Sequence, residues 1–257
     1  MPGTRTVSRR RFEGLDYYVI ERLNGEVLCG TDLGVLTEAT PEVLIAPLLV
    51  PCVPSKIVCI GLNYRQHAAE MGKPLPAEPV VFLKPTTALI AAGQSILLPP
   101  ESNEVHFEGE LAVVIGKRTR RVAADDALAC VRGYTILNDV TARDIQRRDG
   151  RYTRAKGFDT FAPCGPRTVC NLQPEELTLQ THVNGELRQS SALSDMIFTV
   201  PQLVEYVSSL MTLLPGDIIS TGTPAGVGPL AAGDVVEIRI DGIGVLGNPV
   251  SNEIVPG

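Results

Sequence analysis

Short apolar runs broken by Gly, Pro and Asn-Gly recur along this chain, and few stretches carry the 3.6-residue period of a helix. Ile57-Val58-Cys59-Ile60, Val80-Val81-Phe82-Leu83 and Leu111-Ala112-Val113-Val114-Ile115 are continuous and predict buried strands. Tyr134 to Leu137 predicts another, running into the polar Asn138-Asp139. Val235 to Ile240 and Gly244 to Val250 alternate and predict a two-strand ribbon, while Asn24-Gly25 and Asn184-Gly185 predict hairpin turns. The clearest helical spacing spans Ser194 to Met211 around Pro201, and a shorter helix runs through His67 and closes at Gly72. Thr153 to Pro166, crowded with Gly and Pro, reads as a loop, and Ala46 to Ser55 as a linker. The expected class is α+β and β-rich, with a small N-terminal β subdomain over residues 1–50 and the main domain over residues 51–257.

Composition narrows the partners. A formal net charge of −6 argues against a nucleic-acid surface, and Arg9-Arg10-Arg11 reads as a solvated segment against that balance. Only 5% of residues are aromatic, whereas 24 are Gly and 20 are Pro, which favours many short strands and turns over long helices. No apolar run reaches membrane-spanning length and the N-terminus lacks a signal-peptide core, so a cytoplasmic protein without a membrane partner is expected. Cys29, Cys52, Cys59, Cys130, Cys164 and Cys170 show no C-x-x-C spacing and sit mostly in apolar runs, which predicts neither disulfide nor zinc.

The chemistry concentrates where the strand of Leu111 begins. Glu108 and Glu110 are two apart, so an extended chain points both to one face just where solvent runs out, and like charges there need compensation. A hard divalent cation, Mg²⁺ or Mn²⁺, supplies it, with Asp139 as the candidate third oxygen ligand. Taken alone, the pair also fits a solvated strand edge, with Asp139 capping the next helix; the whole constellation favours the metal. His67 and Glu70 are three apart on a short helix beside a Pro-bounded loop, a spacing at which the carboxylate orients the imidazole as a general base on a lid. An exposed polar pair has the same spacing. Lys156, amid small and apolar residues, is a candidate anion clamp, and Lys84 reads as a surface residue. The loop Thr221 to Gly228 lacks the Lys-Ser/Thr of a nucleotide-binding loop, yet its amides and Thr223 suit a carboxylate.

From Lys56 to Asn252 the chain resembles the fumarylacetoacetate hydrolase family. The resemblance rests on G-x-N-Y-x-x-H-x-x-E (Gly61 to Glu70), F-x-K-P (Phe82 to Pro85), H-x-E-x-E-L (His106 to Leu111), N-D-V-T-A-R-D (Asn138 to Asp144), A-K-G-F-D (Ala155 to Asp159) and T-G-T-P-x-G-V-G (Thr221 to Gly228). It implies a mixed β-sandwich or roll, usually a homodimer, and Mg²⁺ or Mn²⁺ on Glu108, Glu110 and Asp139. It further implies a lid dyad of His67 and Glu70, with Lys156, Gln146 and Thr223 facing a small 2-oxo acid. Acylpyruvate hydrolases belong to this family, as do 2-hydroxyhepta-2,4-diene-1,7-dioate isomerase and 5-oxopent-3-ene-1,2,5-tricarboxylate decarboxylase enzymes. Some acylpyruvate-cleaving members carry Arg directly after the first Gly, where this chain has Leu62. Hydrolytic cleavage of a 2,4-dioxo acid is the first expectation. Decarboxylation of an oxaloacetate-like acid or isomerisation of a 2-hydroxymuconate-type acid comes second, and a non-catalytic protein with a structural ion third.

Overall fold

Most of the continuous apolar runs become the middle of one large mixed sheet, whereas Val80–Lys84, expected as a buried strand, is its edge strand and leaves Val80 and Leu83 exposed. In the computed structural model, which describes residues 3–254, this sheet holds 12 strands, beside sheets of 5 and 3. Gly109–Ile115 lies near its centre, antiparallel to both Val131–Asn138 and Ile218–Ser220, and Ile218–Ser220 runs parallel to Ile57–Gly61. All seven residues of Gly109–Ile115 are buried, as its lack of polar alternation requires. Leu111, Val113 and Ile115 face a core filled by Leu203, Val204 and Val207 of the helix Val200–Leu210 and by Ile238 and Ile240 of the five-stranded sheet. Ala112 and Val114 face the opposite side, against Cys59, Leu137 and Ile218. With a period of two, Glu110 falls on this second side.

Several local expectations change. The helix expected from Ser194 begins at Val200, because Pro201 has no N–H to donate and suits only the first turn. Thr199 and Gln202 close its start, with the Thr199 N–H donating to Gln202 Oε1 at 2.8 Å. The end of the expected loop, from Ala162 to Pro166, belongs instead to the strand Ala162–Val169, which lies between Val131–Asn138 and Thr4–Phe12. Its ladder shifts register between Tyr134 and Ile136, and Pro166 falls in that irregular stretch, where a missing donor is tolerated. The linker contains the strand Leu48–Leu49, paired with Arg9 and Arg10. The arginine tract is therefore strand, with Arg11 exposed as expected but Arg9 and Arg10 half-buried: Arg9 Nη2 donates to Asp16 Oδ2 (2.9 Å) and Arg10 Nη1 to the Ala46 carbonyl (2.5 Å).

The four strands between Thr4 and Glu38 continue the large sheet through Thr6 and Val7, which pair with Val169 and Thr168. Residues 1–2 and 255–257, the outer ends of the two expected segments, lie outside the described residues. All six cysteines are free. No described helix is long and apolar enough to cross a membrane.

Candidate active site

The chain changes sheet at Glu108. Val105–Phe107 pairs within the three-stranded sheet, whereas Gly109–Ile115 joins the large one, so Glu108 has no regular ladder partner. Asn138 takes that place: the Glu108 N–H donates to Asn138 Oδ1 and the Asp139 N–H donates to the Glu108 carbonyl, both at 2.9 Å. This reciprocal pair sets two strand ends face to face. Carboxylate oxygens of Glu108, Glu110 and Asp139 lie within 4.8 Å of one another, and all three residues are buried. The expected pair of glutamates thus meets across a change of sheet rather than along one straight strand.

Three cations surround the triad, and the sequence pointed to only one of them. Lys156 is buried and its Nζ donates to Glu108 Oε2 (2.9 Å), Asp139 Oδ2 (2.5 Å) and Thr141 Oγ1 (2.8 Å). All three of its protons are committed, so it offers the site charge and no free donor. Lys84 is fully buried rather than at the surface; its Nζ donates to Asp139 Oδ1 at 2.7 Å and to the Val140 carbonyl at 3.0 Å. Arg143 pairs with Glu108 Oε1 and also donates to Gln146 Oε1 at 2.6 Å.

These neighbours set the protonation of the cluster. Burial works to raise the Glu108 pKa, but Lys156 and then Arg143 outweigh it and hold the carboxyl well below the usual range. Burial works to lower the Lys156 pKa, yet Asp139 and Glu108 raise it. At Lys84 burial prevails over Asp139 and the pKa falls. Glu110 differs in kind. Its hydrogen bonds come from neutral groups, Ser220 Oγ (2.5 Å) and the Gly222 N–H (2.9 Å), and both fall on Oε2. Burial, then Asp139, then Glu108 push its pKa well above the ordinary carboxyl value. A buried carboxylate without a cationic partner, beside two others, is the donor set a hard divalent cation fits, and the residues present therefore suit Mg²⁺ or Mn²⁺.

A cavity of about 560 Å³ opens above the triad and is lined by Glu108, Glu110 and Asp139 together with His67, Gln146 and Thr223. His67 rides on the helix Arg65–Glu70, which places Glu70 one turn away. His67 Nδ1 lies 2.9 Å from Glu70 Oε2, and Glu70 Oε1 accepts from the Gly226 N–H at 3.1 Å. With Nδ1 engaged by the carboxylate, the proton belongs on Nδ1 and Nε2 carries the lone pair. Gln146 offers its amide N–H₂, since Arg143 occupies its carbonyl. The Thr223 hydroxyl is committed, donating to the Gly109 carbonyl (2.9 Å) and accepting from Gln189 Nε2 (2.8 Å). Lys84, Asn138 and Gln189 received no role from the sequence.

Comparison with known proteins shows which family this chain is similar to. The family described as fumarylacetoacetate (FAA) hydrolase, C-terminal, matches residues 56–251. Oxaloacetate tautomerase YisK of Bacillus subtilis is 47% identical over 211 residues, covering 77% of this chain and 70% of that protein. The crystal structure of 5-carboxymethyl-2-hydroxymuconate delta-isomerase from Mycobacterium smegmatis superposes with a TM-score of 0.88 at 44% identity, covering 97% of this chain and 100% of that one. Fumarylpyruvate hydrolase from Pseudomonas aeruginosa, solved with Mn²⁺ and pyruvate, gives a TM-score of 0.74 at 34% identity, covering 80% of this chain and 92% of that one.

Proposed function

The chain belongs to the fumarylacetoacetate hydrolase family, and from that premise we propose that it catalyses keto–enol proton transfer on a small 2-oxo acid of the oxaloacetate type. The observation that carries this reading is the shared cavity: a buried carboxylate triad suited to a divalent cation and an imidazole held in one tautomer line the same space. The isomerase and tautomerase relatives, at 44% and 47% identity, support it over the hydrolase at 34%. The position after Gly61 supports it too, because Leu62 brings no guanidinium there.

Glu108, Glu110 and Asp139 would hold Mg²⁺ or Mn²⁺, which would supply Lewis acidity to a bound 2-oxo acid. His67 Nε2 takes a proton from C3 of the keto acid and the resulting imidazolium delivers that proton to the oxygen at C2, giving the enol; the reverse reaction returns it to C3, so no atom is gained or lost. Glu70 stabilises the imidazolium that forms between the two transfers, through Nδ1. The Gln146 amide orients the substrate, and the charge of Lys156 offsets Glu108 and Asp139, so an anionic substrate meets less repulsion.

Hydrolysis of a 2,4-dioxo acid, ranked first from the sequence, is the second reading, favoured by the completeness of the His67–Glu70 pair. There the same imidazole would take a proton from water, the hydroxide would add to the distal carbonyl, and the C3–C4 bond would break with C3 protonated. A homodimer belongs to the proposal as well: the strand Val80–Lys84 closes the large sheet at one edge and exposes Val80 and Leu83. A panel of oxaloacetate, acylpyruvates and 2-hydroxymuconate-type dienoates with Mg²⁺ or Mn²⁺ tests the assignment. Metal-dependent keto–enol conversion of oxaloacetate exceeding any C–C cleavage supports the first reading; cleavage alone overturns it in favour of the second.

A further inference from the structure

The two glutamates of the triad are not held by their own sheet alone. Gly109 lies between them, and a Cβ there would collide with the Thr181 hydroxyl of the five-stranded sheet, so the backbone is pressed directly onto that sheet. One buried side chain joins the two. Gln189, 1% exposed on the strand Glu186–Ala192, accepts from the Gly109 N–H through Oε1 at 3.1 Å. Its Nε2 donates to Thr223 Oγ1 (2.8 Å) and to the Pro224 carbonyl (2.9 Å), which uses both amide protons. Thr223 closes the ring by donating to the Gly109 carbonyl at 2.9 Å. The same loop supplies the Gly222 N–H to Glu110 and the Gly226 N–H to Glu70. Gly226 in turn packs against the Arg188 carbonyl so closely that a Cβ would not fit. The segment Arg188-Gln189 therefore touches, through one loop, both the peptide between the two glutamates and the partner of His67.

We propose that Gln189 is a positioning residue that sets the spacing of Glu108 and Glu110 for a divalent cation by locking the Gly109 peptide to Thr223 and Pro224. Gln189 makes no hydrogen bond to the carboxylates and acts through the backbone they share. A rigid three-bond clamp suits this task, since a hard cation of the Mg²⁺ type demands near-ideal ligand placement. The inference rests on the metal reading given under Proposed function.

The test uses the full chain and Mn²⁺ alone, by isothermal titration, with thermal melts in chelator as the control for folding. Gln189→Met preserves length and bulk but removes all three hydrogen bonds; Thr223→Val removes the other half of the ring, and Thr223→Ser restores it. Gln189→Met and Thr223→Val should each weaken Mn²⁺ binding roughly 10-fold or more, the range for partners that orient ligands. Thr223→Ser should bind as the wild type does. The double variant Gln189→Met/Thr223→Val should be little weaker than either single change, because both break one ring. Melts in chelator that fall while Mn²⁺ affinity stays at the wild-type value assign Gln189 a purely structural role and overturn the inference. Should Gln189→Met fail to fold, Thr223→Val set against Thr223→Ser decides on the same readout. A wild type that binds no Mn²⁺ overturns the metal reading and this inference together, whereas a binding wild type with unchanged variants overturns this inference alone.

Discussion

Replacing Lys84 with Met removes a charge that the fold has buried completely. The ammonium lies 2.7 Å from Asp139 Oδ1 and 3.0 Å from the Val140 carbonyl, with no side-chain exposure. Breaking a buried ion pair from one side costs about 3–5 kcal/mol, because the remaining charge is left uncompensated. Asp139 keeps Lys156 at 2.5 Å, and burial itself disfavours the Lys84 charge, so the loss should sit at the lower end, about 3 kcal/mol. For a chain of this size that corresponds to about 6–12 °C in Tm. A divalent cation on the triad replaces the lost positive charge, and the penalty should shrink when it is bound. Thermal melts of wild type and Lys84→Met, each in chelator and in excess Mn²⁺, measure both effects. A loss below about 1 kcal/mol in chelator, the value of an ordinary exposed pair, would refute the reasoning, as would a loss that Mn²⁺ leaves unchanged.

Glu110→Gln should raise or preserve Tm in chelator, since it removes a carboxyl whose charge is opposed by burial, then by Asp139 and Glu108, while abolishing the stabilisation conferred by Mn²⁺; melts at increasing Mn²⁺ check both. Asp217, fully buried, accepts from Leu214 N–H, from Ser55 Oγ and N–H, and from Lys56. Burial raises its pKa, but the Lys56 ammonium and the Leu214 and Ser55 donors outweigh it and leave the pKa low. Its contribution is thus present above the unfolded carboxyl pKa of about 3.9 and is lost as pH falls through the lower folded value. Asp217→Asn should lose about 2 kcal/mol at neutral pH and flatten the acid limb of the stability profile, as urea titrations across pH would show. Lys156→Met should weaken oxaloacetate turnover and acylpyruvate cleavage alike, because it removes charge that either anion needs; a selective effect on one substrate would contradict that role.

Much of the site was legible because its residues mark where buried strands meet polar turns. Glu108, Glu110 and Asp139 stand at such junctions, and the i,i+3 spacing of His67 and Glu70 survives as a contact because the helix is real. What escaped the sequence depends on long-range pairing. Lys84 reads as surface from its own strand; only its placement over Asp139, 55 positions away, makes it interior. Gln189 lies in an ordinary hairpin whose role arises from a second sheet pressed on Gly109. Ala162–Val169 is rich in Gly and Pro, and irregular pairing rather than local propensity makes it a strand.

The most direct test of the proposed chemistry is the Mn²⁺-dependent rate of oxaloacetate keto–enol conversion in wild type and His67→Ala, with Mn²⁺ affinity measured on the same samples. Wild type should exceed the uncatalysed rate and lose that excess in chelator. His67→Ala should fall by roughly 10²–10⁴-fold, the range for a general base, at unchanged Mn²⁺ affinity. A His67→Ala enzyme that keeps the wild-type rate would contradict the assignment of His67 Nε2 as the group that moves the proton.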